Sequence, residues 1–168
     1  MINFWTLRIS DGATTNPVTT IPLEVTELTL PTITRQFNDD KRVGYLANIP
    51  YPLGYEISPL EYTTRGRTTT SLRLVSRVAR TTFVFTGCEV NGDTYSTITV
   101  TCRGFIEDNG MGDFADDGAE YKITVRVDYI QTVIDTATVM TFDPTNYIYE
   151  VNGVNQLAAI RTTLGLGS

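Results

Sequence analysis

Residues 119–132 read AEYKITVRVDYIQT, and their alternation decides the fold. Tyr121, Ile123, Val125, Val127 and Tyr129 fall on one side of an extended chain, and Lys122, Thr124, Arg126 and Asp128 fall on the other. Successive strand side chains point to opposite faces, so this segment is a strand with one face in a core and one in water. Residues 95–106 repeat the pattern, with Ile98, Val100 and Cys102 set against Thr97, Thr99, Thr101 and Arg103. Residues 82–90 are its partner, joined through Asn91-Gly92-Asp93, a hairpin signal. An antiparallel sheet packed on one side accounts for such faces.

Further strands spread outward from this centre. Residues 2–9 read as a first strand closed by Asp11-Gly12, followed by a Thr-rich loop over 13–20. Segments 21–30 and 32–37 follow, punctuated by Pro31. Leu23 and Val25 alternate with Glu24 and Thr26, but the phase slips at Glu27 and Leu28 and Leu30 become the apolar set. A one-residue slip turns a strand over, so a bulge is expected near Thr26-Glu27. Residues 56–64 read as a strand and 70–79 as one short helix, with Leu72, Leu74, Val75, Val78 and Ala79 apolar and Arg73, Ser76 and Arg77 opposite. Strands over 138–142 and 146–151 precede a C-terminal helix over 154–163, stopped by Gly165. The expected architecture is mainly β: an antiparallel β-sandwich or barrel with one short flanking α-helix and a short C-terminal helix, in a single domain over 1–168.

Residues 38–55 read as one long loop, with Asp39, Asp40, Lys41 and Arg42 leading to Pro50, Pro52 and Gly54. Tyr45, Leu46, Ile49, Tyr51, Leu53 and Tyr55 make it too apolar for a disordered linker. Long loops in compact domains usually carry function, so this one is expected to lie on another surface. Tyr51, Tyr55 and Tyr62 suggest a sugar platform, but aromatics beside prolines more often mark packing or a subunit interface.

Composition narrows the function. The formal charge is −6, which argues against a protein that grips duplex DNA through clustered cations. An acidic balance suits a protein past which DNA must move without sticking. The 29 Thr, 9 Tyr and 7 Phe suit half-buried strands, and there are only 2 Lys. The chain has no His, so Ser, Thr and Cys lack the commonest activating base. No enzymatic activity, cofactor or metal is expected. The acidic stretch 107–118 lacks the EF-hand spacing and reads as a hairpin tip. No apolar run is long enough to span a membrane, and the start of the chain shows no signal peptide, so assembly in a reducing cytoplasm is expected. The expected hairpin places Cys102 opposite Phe83, five strand positions or on the order of 17 Å from Cys88, so both thiols should be free.

Two stretches carry a family resemblance. Residues 28–37 (LTLPTITRQF) resemble an LTLPKLTRK-type segment of the tail tube proteins of contractile-tailed phages. Residues 151–166 (VNGVNQLAAIRTTLGL) resemble the C-terminal ending of that family, which includes R-type pyocin tubes. Between them, Cys102-Arg103-Gly104 matches a strand ending in Arg-Gly, followed by an acidic Gly-rich turn and another strand. The Pro-containing segment 50–59 departs from the Gly-rich loop of the family.

The resemblance implies a structural virion protein of the phage tail. Six subunits would form a ring whose sheets join into an inner β-barrel, and rings would stack into a tube for DNA inside a contractile sheath. It also implies partners: further copies, the sheath, the tape-measure protein, baseplate and tail terminator proteins, and DNA in passage. Periodicity alone leaves the polar faces open to ordinary solvent or to a lumen. Under the resemblance the lumen candidates are Glu27, Thr29, Glu61 and Thr63, then Thr97, Thr99, Thr101 and Arg103, then Lys122, Thr124, Arg126 and Asp128. Candidates for contacts between subunits and rings are Asp39, Asp40, Lys41, Arg42, Tyr45, Tyr51 and Arg161. In the C-terminal helix Leu157, Ile160 and Leu164 share a face. Leu157 and Ile160 are expected to dock on the chain's own sheet and leave Arg161 for a partner. The alternative function is a β-sandwich binding module, such as a baseplate adaptor or receptor-binding domain.

Overall fold

The computed structural model describes residues 3–10, 19–21, 24–40, 49–65, 75–76, 78–110 and 120–166. Twelve strands are described: β1 (Asn3–Ser10), β2 (Thr19–Ile21), β3 (Glu24–Thr29), β4 (Ile33–Asp40), β5 (Ile49–Ile57), β6 (Leu60–Arg65), β7 (Thr81–Asn91), β8 (Thr94–Asp108), β9 (Glu120–Ile134), β10 (Ala137–Asp143), β11 (Ile148–Val151) and β12 (Val154–Asn155). A single helical turn spans Pro144–Asn146 and a short helix, α1, spans Ala158–Thr163. The expectation of a mainly β, antiparallel fold holds: every described pairing is antiparallel.

Ten strands form one sheet, in the order β12-β11-β10-β9-β8-β7-β1-β2, with β3 and β6 branching from β9. The branch exists because β9 is 15 residues long. Its first half, from Glu120 to Val125, pairs with β6, and its second half, from Ile130 to Ile134, pairs with β10. From Thr124 to Ile134 it also pairs with β8, itself 15 residues long.

The sheet folds over its own core. Tyr62 of β6 and Phe83 and Phe85 of β7 are separated by two intervening strands, which in a flat sheet puts them about 14 Å apart. Their ring centroids are instead 5.9 and 5.6 Å apart. The core faces therefore look at one another, with Leu7, Ile9, Leu60, Val100, Cys102, Ile123, Val125 and Ile130 buried between them. Two walls result: β3, β6, the first half of β9 and the last residues of β8 on one side, and β1, β7, most of β8, the second half of β9 and β10 on the other.

The bulge expected near Thr26-Glu27 is present, as the β3–β6 register shifts between Val25 and Glu27. Asn152 and Gly153 both have positive φ, 49° and 80°, as a two-residue turn between β11 and β12 requires. Gly165, at φ 70°, closes α1. Its N–H donates to Thr162 O and that of Leu166 to Arg161 O, at 3.1 and 3.0 Å, a pattern that satisfies the last helical carbonyls. The β7–β8 turn is Gly92-Asp93, with Asn91 paired to Thr94 and Phe83 to Cys102. Both cysteines are free, and burial pushes the Cys102 thiol up to about 12.

Several expectations need correction. Residues 38–55 are not one long loop. β4 and β5 pair along their whole lengths as a separate two-stranded sheet, and only 41–48 lie between them, outside the described residues. Pro50 and Pro52 hid the strand, but they are tolerable because among the described residues β5 pairs only with β4 and need not donate to a second neighbour. Gln36 pairs with Gly54 and Phe37 with Pro52, leaving Leu53 as the extra residue, 67% exposed. The strand expected over 56–64 is split, with Glu56 and Ile57 ending β5 and Leu60 starting β6. The C-terminal helix begins at Ala158, because Val154 and Asn155 pair with β11 first. Of the helix expected over 70–79, residues 70–74 and 77 lie outside the described residues, while Val75 is helical and 4% exposed. Residues 111–118 of the acidic stretch lie outside them too.

Candidate assembly surface

The first wall presents an outer face that is polar and internally paired. Glu27 lies opposite Thr63, which lies opposite Lys122; Thr29 lies opposite Glu61, which lies opposite Thr124. Cross-strand partners share a face, so these six residues form one patch, in which Thr63 is itself buried at 7% exposed. Lys122 Nζ is 2.8 Å from Glu61 Oε2. Arg126 donates twice to the Glu107 carboxylate, at 2.7 and 2.9 Å. Arg65 donates to Glu120 at 3.1 Å. Hydrogen bonding from Arg126 holds the Glu107 carboxyl below its ordinary value, and the bond to Glu61 raises Lys122. Four carboxylates thus meet three cations, all in pairs or beside one (Glu27, Glu61, Glu107 and Glu120 against Arg65, Lys122 and Arg126).

The second wall is different. Thr97, Thr99 and Thr101 pair with Cys88, Thr86 and Val84, and Thr86 pairs with Thr6. This face is rich in Thr, and its charges, Arg8 opposite Val84 and Glu150 opposite Thr141, stand apart from each other. Because the core faces of the two walls oppose each other, this face looks away from Lys122 and Glu61. Ten of the twelve polar residues singled out in the sequence share one side of one continuous sheet, but the folding of that sheet divides them between two surfaces.

Arg103 and Asp128 belong to neither open face. The β8–β9 register shifts between Arg103 and Gly104, and Asp128 is the extra residue on β9. The shift swaps the phase of β9, so Val125 and Val127 face the core before it and Ile130 after it. At this bulge Arg80 pairs with Asp128, while Arg103 lies 3.7 Å from Asp128 and 3.9 Å from Asp143. The Arg103 guanidinium sits 4.8 Å from the Tyr129 ring centroid, and Arg80 lies 5.6 Å from that of Phe105. Burial raises the Tyr129 phenol above its ordinary value. These side chains form a half-buried knot where the two walls meet.

The C-terminal segment also differs from expectation. Asn155 accepts hydrogen bonds from the N–H groups of Tyr149 and Leu157, at 3.1 and 3.0 Å. No residue of α1 is buried, and Ile160, Leu164 and Leu166 are 48%, 54% and 48% exposed. Docking of Ile160 on the chain's own sheet is therefore overturned: β12 holds the chain to the sheet edge, and α1 follows too late to reach the core. Arg161 is engaged within its own subunit. Its guanidinium donates to the Asn146 carbonyl and, at 3.1 Å, to the Leu166 carbonyl.

Sequence reading missed a cluster that ties the β4–β5 hairpin to the main sheet. Tyr55, Phe142 and Tyr149 meet edge to face, with centroids 5.2–5.8 Å apart. Arg35 lies 5.9 Å from the Tyr55 ring and 5.6 Å from the Phe37 ring. Only Tyr55 had stood out, as part of a platform with Tyr51 and Tyr62, but Tyr62 is 1% exposed in the core. Asp39, Asp40 and Tyr51 lie on the paired strands of the hairpin, whereas Lys41, Arg42 and Tyr45 fall outside the described residues.

A folded-over antiparallel sheet, with strand edges unpaired among the described residues and paired charges on an open wall, is the build of an assembling structural subunit. Residues 19–165 match the family of phage tail tube protein FII, and the chain belongs to that family. It is a structural component of a phage tail. No curated protein sequence matches the chain. Among solved structures it is similar in fold to a chain in the cryo-electron microscopy structure of the anti-feeding prophage baseplate, 6-fold symmetrised. The likeness is at 12% identity, with 77% of this chain and 91% of that one covered and a TM-score of 0.50.

Proposed function

We propose that this chain forms hexameric rings that stack into the inner tube of a contractile tail, the conduit through which DNA is ejected. The family match over residues 19–165 carries this reading. The sixfold symmetry of the similar baseplate assembly supports the ring. The lumen is assigned to the first wall, with Glu27, Thr29, Glu61, Thr63, Lys122, Thr124 and Arg126 facing it; Thr97, Thr99 and Thr101 face outward toward the sheath. Paired charges suit a conduit, because a phosphate backbone meets no unopposed row of cations to bind. Among the described residues β3 pairs only with β6, and β8 beyond Gly104 pairs only with β9. These are the lateral edges of the wall, and closure of a ring would join them.

The β4–β5 hairpin, with Asp39, Asp40, Lys41, Arg42, Tyr45 and Tyr51, is assigned to contacts between subunits and between rings. The partners are other copies, the sheath, the tape-measure protein, and the baseplate and terminator proteins, and assembly takes place in the host cytoplasm. A second reading, a baseplate adaptor, is favoured by the origin of the similar structure. Negative-stain and cryo-electron microscopy of the purified protein separate the two. Hollow tubes with Lys122 and Glu61 lining the channel are expected. A monodisperse monomer, or single rings that never stack, would reject the tube. Thr99 and Thr101 lining the channel would reverse the two walls.

A further inference from the structure

We propose that the β7–β8 hairpin tip of one copy docks in an aromatic cleft at the base of the β4–β5 hairpin of another, with Asp93 meeting Arg35. The inference rests on the tube reading and gives it a specific contact.

The cleft has a volume of about 490 Å³ and is lined by Ile33, Arg35, Tyr55, Tyr149, Val151 and Gln156. Its walls are preorganised: the Tyr55 and Tyr149 rings stand 5.2 Å apart at 67°, each braced against Phe142. Among the described residues no carboxylate lies within ion-pair distance of Arg35. Its guanidinium lies over the Phe37 and Tyr55 rings, so the cleft offers a positive charge framed by aromatics. Such a site fits a carboxylate presented beside an apolar or aromatic group.

The chain itself presents that group. Asp93 sits in the two-residue β7–β8 turn, exposed, and Tyr95 beside it is 70% exposed. Among the described residues Asp93 has no ion-pair partner.

Position decides the geometry. Tyr149 and Val151 align through β10 and β9 with Cys102 and Val100 of β8. The turn at Thr94 is six to eight residues further along that strand, about 20–27 Å away. The cleft therefore lies level with the middle of β8, well away from its tip, and knob and cleft cannot meet within one copy. A contact between unlike patches is heterologous, and repeating it propagates an assembly instead of closing a dimer.

Cross-linking tests this in a Cys88→Ser background, using Arg35→Cys and Asp93→Cys. A chain carrying both substitutions should give a ladder of covalent oligomers with a short bis-maleimide linker, which spans the reach of an Arg–Asp pair where a disulfide does not, whereas the two single variants mixed should give dimers only. Charge reversal tests the pairing: Arg35→Glu and Asp93→Arg should each lower tube yield about tenfold or more, and the two combined should restore it. Thermal melts establish that each variant folds. A double-cysteine variant that forms normal tubes but no ladder overturns the contact and leaves the tube standing. Dimers from either single variant alone, or no rescue on combining the reversals, also overturn it. A parent protein that stays monomeric removes both the contact and the tube.

Discussion

The two walls of the sheet share one core and two strands, yet their outer faces have little in common. The wall of β3, β6 and the first half of β9 carries charges that answer one another at 2.7–3.1 Å. The opposite wall carries Thr97, Thr99 and Thr101 with Thr86 and Val84 as neighbours, and no ion pair is centred there among the described residues. The same alternation produces both, so pattern fixes which side of a strand is wet and leaves open what that side meets. The difference arises at the bulge around Asp128, where β9 changes phase and partner together.

The core common to both walls should show the largest effect. Phe83→Ala or Phe85→Ala removes a ring that contacts Tyr62 across the fold, and should cost about 3–5 kcal/mol in urea unfolding. A loss near 1 kcal/mol would mean that the walls do not depend on each other. The knot between them comes next. Asp128→Asn leaves Arg80 and Arg103 half-buried without their shared carboxylate, and should cost about 2 kcal/mol. Leu157→Ala, at a half-buried position ahead of the exposed α1, should cost about 1 kcal/mol, and Ile160→Ser less than about 0.5 kcal/mol.

Chemical reactivity sharpens the comparison on the second wall. Cys88 points to its half-exposed outer face and Cys102 into the core. In the native protein a thiol reagent at pH 8 should label Cys88 and leave Cys102 unmodified until unfolding, because burial holds the Cys102 thiol at about 12. Equal labelling rates would contradict the placement of β7 against β8.

The smallest effect belongs to the first wall. Glu107 is held below its ordinary value in the folded chain by its hydrogen bond from Arg126. Its contribution is therefore present above the ordinary carboxylate range and is lost as pH falls through its lowered value. Glu107→Gln should slightly flatten the acid limb of the stability curve and leave stability near neutral pH little changed, since both side chains lie in contact with solvent. A large loss at pH 7 would show that this wall needs its charges for folding.

Much of this architecture was legible in the residues. Strict alternation gave β8 and β9, and the phase slip at Glu27 gave the bulge. What escaped had physical causes. Pro50, Pro52 and Gly54 broke the period of β5, although a strand with one neighbour tolerates them. Asp128 read as one more polar residue because a bulge leaves no mark in composition. The separation of the walls rests on Tyr62 meeting Phe83, a contact between residues 21 apart in sequence that no local pattern encodes. Arg161 looked available because the carbonyls it serves, at Asn146 and Leu166, belong to backbone whose course the sequence does not show.

The passage of β8 and β9 through both walls has a mechanical consequence. Each is a continuous 15-residue span hydrogen-bonded to the other over most of its length. A load pulling one wall past the other runs along covalent chain, and the β8–β9 ladder is loaded in shear, so its rungs share the force instead of opening one at a time. The subunit behaves as a beam with two flanges and a common web. It resists bending between its faces, and a thrust applied to one face is delivered to the other without slack.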